Sequence, residues 1–426
     1  MTGGVSGGVS GDAYGDGGAV RRLAAQARAR TEELRGELLA LSHAIHAEPE
    51  LRFEEHAAAG RLRALLGAHG FAVEAGIGGL DTAFRATRDF GGEAGDGGGR
   101  GPTVAVFCEY DALPGLGHGC GHNVIAAAGA GAALAAAALM AERGAPGRLL
   151  VIGSPGEEGG GGKVRLIEAG VLDGVDAAVM AHAAGYDAVA RTNLGRLSLE
   201  AVFTGRASHA SAAPEGGRNA LDAATLLLVA IGLLRQQTTP DSRIHARVAE
   251  GGQSINIIPE RARVEMFVRS LDSGYLRGRL LDAVRDCVRG AAIATGTSCT
   301  FDEVAPAYDP VLANPVLADL AAEAFGALGR PIPPGGGWSG PAGSTDMGNV
   351  SQLLPALHPY VCAVPGAALH TREFAAGAAG EQADAAVLDG GAVLAAVVTS
   401  LFTRPELLER AKAEFAAATT GGGDRA

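Results

Sequence analysis

Residues 103–153 read TVAVFCEYDALPGLGHGCGHNVIAAAGAGAALAAAALMAERGAPGRLLVIG. Thr103–Cys108 is a short apolar run opened by Gly-Pro and closed by charged residues, the pattern of a buried strand. Asn123–Arg143 is long, rich in alanine and free of proline, which predicts a helix. Leu149–Gly153 is a second strand. Downstream, residues 163–169 read as a helix and Ala177–Ala181 (AAVMA) as a third strand. Strand–helix–strand–helix–strand implies right-handed crossovers and a parallel sheet covered by helices on both faces. In such sheets ligands bind beyond the carboxyl ends of the strands. The polar clusters considered below all follow strands.

Upstream, helical spacing runs from Ala19 to Leu41 and from Ala57 to His69, where Gly70 stops it. Asp89–Gly101 (DFGGEAGDGGGRG) has the composition of an exposed loop. From Arg196 the order changes. Strands are expected at 197–203, 244–249, 261–268 and 298–303, with helices at 219–236 and 274–294. This βαββαβ order is the ferredoxin-like split unit. Helices resume at Asn314 and continue to Leu401, so the second unit is an insertion. The expected organisation is a tail at 1–18 and a catalytic α/β domain built from 19–195 and 306–415. The insert, a lid able to close over a site, occupies 196–305, and a second tail 416–426.

The 47 acidic and 35 basic side chains give a formal charge of −12, which speaks against a nucleic-acid partner. Hydrophobic residues are 47% of the 426, enough for a large core. Val124–Ala141 carries no charge over a length that would span a bilayer. Its Ala/Gly composition and the polar motif beside it favour a buried helix, so no membrane partner is expected. The N-terminal stretch has neither the basic nor the apolar region of a secretory signal. Five cysteines, an odd number without clustering, suggest reduced thiols and a cytoplasmic location.

Two clusters carry the chemistry. Glu109-Tyr110-Asp111 is followed by Gly117-His118-Gly119-Cys120-Gly121-His122-Asn123. Cys120 and His122 are two apart, so extended backbone presents both on one face, and the flanking glycines permit a tight turn. Thiolate, imidazole and carboxylate suit borderline-soft divalent metals. A lone Cys-x-His pair reads more readily as a small buried residue beside a helix start. The glycines and upstream carboxylates favour ligation. The second cluster is Ser154-Pro155-Gly156-Glu157-Glu158-Gly159. Adjacent carboxylates at a strand end repel unless a cation holds one; one Glu can ligate while its neighbour serves as general base. A solvated acidic loop is the plainer reading of Glu-Glu alone. A phosphate-binding loop is excluded, because Glu157 and Val164 stand where Gly and Ser or Thr are required. His182 and His370 are weak signals singly; with Cys120, His122 and Glu158 they supply enough donors for two ions. No nucleophile elbow competes, since Pro341 stands where Gly is needed after Trp338-Ser339-Gly340.

These residues resemble the aminoacylase-type di-metal amidohydrolases of metallopeptidase family twenty. The similarity is strongest to the branch of indoleacetyl-amino-acid hydrolases, the B component of aminobenzoyl-glutamate hydrolase and β-alanyl-lysine-type dipeptidases. It extends from about Leu38 to Leu401 through His46–Leu51, Asp-Ala-Leu-Pro, Gly-Cys-Gly-His-Asn and Glu-Glu-Gly-Gly. Further on it includes Gly205–Ala210, Asn256–Pro259 and Ser344–Asp346. The resemblance implies that Cys120, His122, Glu158, His182 and His370 hold two divalent ions per subunit, zinc or manganese with cobalt a further candidate. Glu157 would be the base and Asp111 would orient a ligand. His209 would come from the lid, in many relatives from a partner subunit, to polarise the scissile carbonyl. Asn256 would contact the substrate carboxylate or the tetrahedral intermediate. The same likeness implies a homodimer formed through the lid. Where many relatives outside the branch carry His and a bridging Asp, this chain has Glu109 and Cys120.

The expected activity is hydrolysis of an amide bond to an amino acid, in an N-acyl amino acid, an aminobenzoyl-glutamate-like compound or a dipeptide. The alternative is a catalytically silent small-molecule-binding relative. Arg269 could bind a carboxylate, although a surface salt bridge is the commoner fate. His43, His46, His69 and His118 are expected outside the ligand set, and Trp338 near the site rim or in the core.

Overall fold

The computed structural model describes residues 17–91, 101–333, 336 and 343–420, which leaves Trp338 and most of the 89–101 segment outside it. The chain divides into two compact units. One comprises Thr192–Val311 with Pro341–Gly348, and the other the remainder. The 343–348 segment, far away in sequence, joins the insert without any local signal.

The larger unit opens with helices Gly17–Glu33 and Arg35–Ala47, where one helix ending at Leu41 was expected. Leu34 (φ −91°, ψ 2°) interrupts the helix beside Gly36, a residue of low helix propensity. After helix His56–Ala68 come strands β1 (Ala72–Ala75), β2 (Phe84–Phe90), β3 (Thr103–Cys108), β4 (Gly147–Gly153) and β5 (Ala177–Val179). A short β6 (His182–Ala184) follows. In the inserted unit β7 is Gly195–Thr204, β8 Arg243–Glu250, β9 Arg261–Ser270 and β10 Ser298–Tyr308. Back in the larger unit lie β11 (Ala356–Leu357) and β12 (Tyr360–Cys362).

The main sheet has the order β1-β2-β4-β3-β5-β11. Strands β4, β3 and β5 are parallel as expected, and β11, in a segment read as helical, joins them parallel to β5. The other two are not: β2 pairs antiparallel with both β1 and β4, so the sheet is mixed. This corrects the all-parallel expectation. Strand β2 also takes Asp89 and Phe90 out of the expected loop, because Arg148 on β4 grips Asp89 with two hydrogen bonds of 2.7 and 2.9 Å. Because β3 lies between β4 and β5, the strand order reverses there and opens a crevice at the carboxyl ends.

The alanine-rich segment is helix His122–Arg143, and 89% of its most apolar stretch is buried in the fold, as is that of Glu381–Thr403. Small residues let backbones approach closely here: a Cβ on Gly129 would lie 2.9 Å from the Phe107 carbonyl of β3. The last helix, Pro405–Thr420, runs into the expected tail at 416–426; the Thr420 hydroxyl donates to the Ala416 carbonyl at 2.7 Å. Alanine is the best helix former, which carries the helix through this stretch.

The inserted unit is a four-stranded antiparallel sheet of order β10-β7-β9-β8. Helices Ala220–Leu234 and Leu281–Thr295 pack on one face through Leu227, Ile231, Val284 and Val288 against Leu197, Val264 and Val268. That is the ferredoxin-like βαββαβ arrangement.

Candidate metal centre

The pocket in the larger unit is assembled from the carboxyl ends of the parallel strands. Strand β3 delivers Glu109 and Asp111, and the loop beyond them delivers Cys120 and His122. The loop after β4 delivers Glu157 and Glu158, and β6 starts at His182. Gly121 adopts φ 74° at the helix start, and a Cβ there would lie 2.6 Å from the Ala183 side chain. Glycine is therefore required between the two donors.

The donors converge. Cys120, His122 and His182 form one group whose donor atoms all lie within 4.8 Å of each other. Cys120, Glu158 and His370 form a second, and His122, Glu157 and Glu158 a third. The Cys120 Sγ lies 3.7 Å from His182 Nε2, and the Glu158 Oε1 lies 3.3 Å from His370 Nε2 and 4.0 Å from His122 Nε2. His182 Nδ1 is turned to the Ala183 carbonyl at 2.7 Å, which leaves Nε2 for the pocket. His370 holds a left-handed backbone (φ 63°), and its amide donates to the Gly119 carbonyl at 2.8 Å. A non-glycine residue there is strained, and such strain gathers at functional sites.

Asp111 ties the two halves together. One oxygen pairs with His122 Nδ1 at 2.9 Å, and the other accepts the Glu158 backbone N–H at 2.9 Å. Burial works against the Asp111 charge, but the His122 charge and these hydrogen bonds hold its carboxyl below the ordinary value. His122 is likewise held well above the usual imidazole range, because Asp111 and Cys120 outweigh burial. Burial and the nearby Glu158 push the Cys120 thiol well up, and burial pushes His182 down to about 4. Glu158 stays below its ordinary value against the cost of burial, through the His370 imidazole 3.3 Å away and the His122 charge.

The residues fit a cation. Glu109 Oε2, His122 Nε2 and Glu158 Oε1 are buried and lack hydrogen-bond partners among the described residues. Three such atoms aimed at one pocket leave an electrostatic demand that a divalent ion satisfies.

A supporting segment escaped the sequence reading. Phe53 (φ 66°) lays its ring where a Cβ on Gly156 or Gly160 would stand, and Arg52 donates to the Glu158 carbonyl at 3.0 Å. The buried Glu55 accepts the amides of Phe53 (2.8 Å) and Gly156 (2.9 Å) and the Thr82 hydroxyl (2.8 Å). Burial and the neighbouring Asp111 push Glu55 up to about 7. Only the nearby His46–Leu51 match hinted at this clamp on the Glu157–Glu158 loop. Lys163, fully buried on Glu109, also went unread.

His43 and His69 pair with Asp384 and Glu37, while His46 and His118 bond the carbonyls of Ala375 and Ile45. None of the four belongs to a donor group among the described residues.

His209 and Asn256 lie in the inserted unit and are neighbours there. His209 bridges Ile257, and the Ala210 amide donates to the Asn256 carbonyl at 3.0 Å. The amides of Ser211 (3.3 Å) and Ala212 (3.1 Å) donate to His209 Nδ1. That nitrogen must be an acceptor, so the proton sits on Nε2, and the exposed ring offers a donor outward. Ser254 Oγ bonds Asn256 Oδ1, leaving the side-chain amide to donate. Arg269 stands opposite Arg196 on paired strands, and no carboxylate pairs with it among the described residues. Both guanidinium groups lie 5.1 Å from the Phe267 ring. The surface salt bridge weighed for Arg269 is absent there.

The model of Peptidase family M20/M25/M40 matches residues 106–399. The mouse Xaa-Arg dipeptidase is 38% identical over 400 residues, 92% of each chain. The B component of the p-aminobenzoyl-glutamate hydrolase of Escherichia coli is 33% identical over 66% of this chain and 60% of its own. A solved dinuclear metal-binding peptidase from Bacillus subtilis shares the fold, with a TM-score of 0.65, 21% identity and coverage of 87% and 99%. A match over most of the chain, with the donor cluster lying inside it, leads to one conclusion: this chain belongs to Peptidase family M20/M25/M40.

Proposed function

We propose that the protein is a metal-dependent amidohydrolase that cleaves the amide bond of a dipeptide or N-acyl amino acid with a free carboxylate. The observation that carries this is the convergence of Cys120, His122, Glu158, His182 and His370 with Glu157 alongside. That set would hold two divalent ions per subunit, zinc, manganese or cobalt. When bound, such ions polarise a carbonyl and make water acidic enough to deprotonate near neutral pH.

The chain's own residues supply the rest. Glu157, buried and within 4.8 Å of His122 and Glu158 donor atoms, accepts the proton of the attacking water and returns it to the leaving amine. Asp111 fixes the His122 ring and the Glu158 backbone so that neither must reorganise during turnover. His209, with its proton on Nε2, donates to the oxygen of the scissile carbonyl as negative charge develops. Asn256 and Arg269, which pairs with no carboxylate among the described residues, bind the substrate carboxylate. The mouse relative places dipeptides ending in arginine first among substrates.

The partner is a second copy of this chain. Helix Ala220–Leu234 exposes Leu226, Val229 and Leu233, beside β8 at an open sheet edge. An apolar face next to an open edge invites pairing. The cytoplasm is the proposed location, where the five free cysteines stay reduced.

The test is a panel of Xaa-Arg dipeptides, N-acyl amino acids and aminobenzoyl-glutamate, assayed after reloading the apoprotein with zinc, manganese or cobalt. Cleavage of at least one class is expected. If no amide is cleaved with any metal, the reading is wrong. Mixing Glu157→Gln with His209→Ala protomers locates the lid histidine: activity returns if it serves the partner's site, and stays absent if it serves its own.

A further inference from the structure

We propose that Glu109 is a further donor to the metal centre, and that buried Lys163 is the positioning residue that aims it. The inference rests on the reading of the pocket as a divalent-metal site. Glu109 directly follows β3, and its side chain and that of Lys163 are fully buried as an ion pair. The chain has only two lysines, Lys163 and Lys412, and uses arginine elsewhere. An ammonium is a compact point charge, whereas a guanidinium is a planar fork.

The ammonium is bonded to Glu109 Oε1, and Oε2 lies 3.5 Å from His122 Nε2. Neither Oε2 nor Nε2 has a hydrogen-bond partner among the described residues. Since His122 Nδ1 is committed to Asp111, Nε2 is the nitrogen facing the pocket. Two buried polar atoms lie 3.5 Å apart without hydrogen-bond geometry between them. A shared cation resolves this. Donors each about 2.0–2.2 Å from one ion stand roughly this far apart. A buried ion pair is a poor stabilising device, because desolvation consumes much of its attraction. The pair makes better sense as an aiming device: Lys163 fixes one carboxylate oxygen so that the other points at His122.

The experiment compares wild type, Glu109→Gln, Lys163→Met and the double variant Glu109→Gln/Lys163→Met. Apoproteins are titrated with cobalt(II) against a chromophoric chelator, and the visible cobalt spectrum is recorded at each step. The double variant removes both members of the ion pair, and a thermal melt checks its fold. Both variants carrying Glu109→Gln are expected to bind one cobalt at least about tenfold more weakly, with an altered spectrum. Lys163→Met should keep the cobalt stoichiometry and shift the spectrum. A double variant that binds cobalt with wild-type affinity and spectrum would make Glu109 a mere counterion and overturn the proposal. A wild-type protein that binds no cobalt would overturn both this proposal and the metallohydrolase reading.

Discussion

The metal pocket and the His209–Asn256 surface are built on opposite principles. In the pocket almost every polar side chain is buried and held by a second bond: His122 by Asp111, His182 by the Ala183 carbonyl, Glu109 by Lys163. On the inserted unit, His209 and Asn256 are exposed, and local backbone amides and one serine set their orientation. Buried charge demands compensation before a ligand arrives. Exposed donors need only the right tautomer and a partner. The two regions should therefore fail differently when altered.

The largest expected effect is that of Glu157→Gln. It should keep its bound metal and lose about 10²–10⁴ in kcat, read by metal analysis beside steady-state kinetics. Wild-type turnover would remove Glu157 from the mechanism. His209→Ala should cost about 10²–10³ in kcat with metal content and melting temperature unchanged. A change in metal affinity there would erase the contrast between the regions. Asp111→Asn should act on the pocket alone, weakening metal affinity by about 10–100-fold in a chelator competition. If affinity held, the doubly bonded carboxylate would be ornamental.

The smallest effect on activity is expected at Glu55, where the readout is stability against pH. Its carboxyl, ordinarily at 4.5, is raised to about 7. Between these values the unfolded chain ionises there while the folded chain keeps its proton. Wild type therefore loses stability as pH rises from 4.5 through 7, and below 4.5 the group has no such effect. Glu55→Gln removes the loss, so its stability relative to wild type should grow by roughly 3 kcal/mol between about pH 4 and 8. Parallel pH profiles for the two proteins in urea would refute this.

The parallel strands, the long alanine helix and the βαββαβ insert were legible because each rests on local periodicity and chain order. So were Cys120, His122, Glu157 and Glu158, which adjoin one another after strands. The antiparallel β2 was not: its seven residues carry an irregular pattern, and pairing with β4 decides its state. His182 and His370 gained weight only in company with the other donors and through the family resemblance, since a lone histidine has no sequence neighbours to qualify it.

By itself, then, the sequence determined the donor types, the strand ends that carry them and the split between the two units. Only the tertiary structure decided which nitrogen of His122 faces the pocket, which tautomer His209 holds, and that Lys163 neutralises Glu109 from 54 residues away. The reason is physical. Propensity and periodicity act over a few residues, whereas the pairing of a buried charge depends on whichever distant group the fold brings within hydrogen-bond reach.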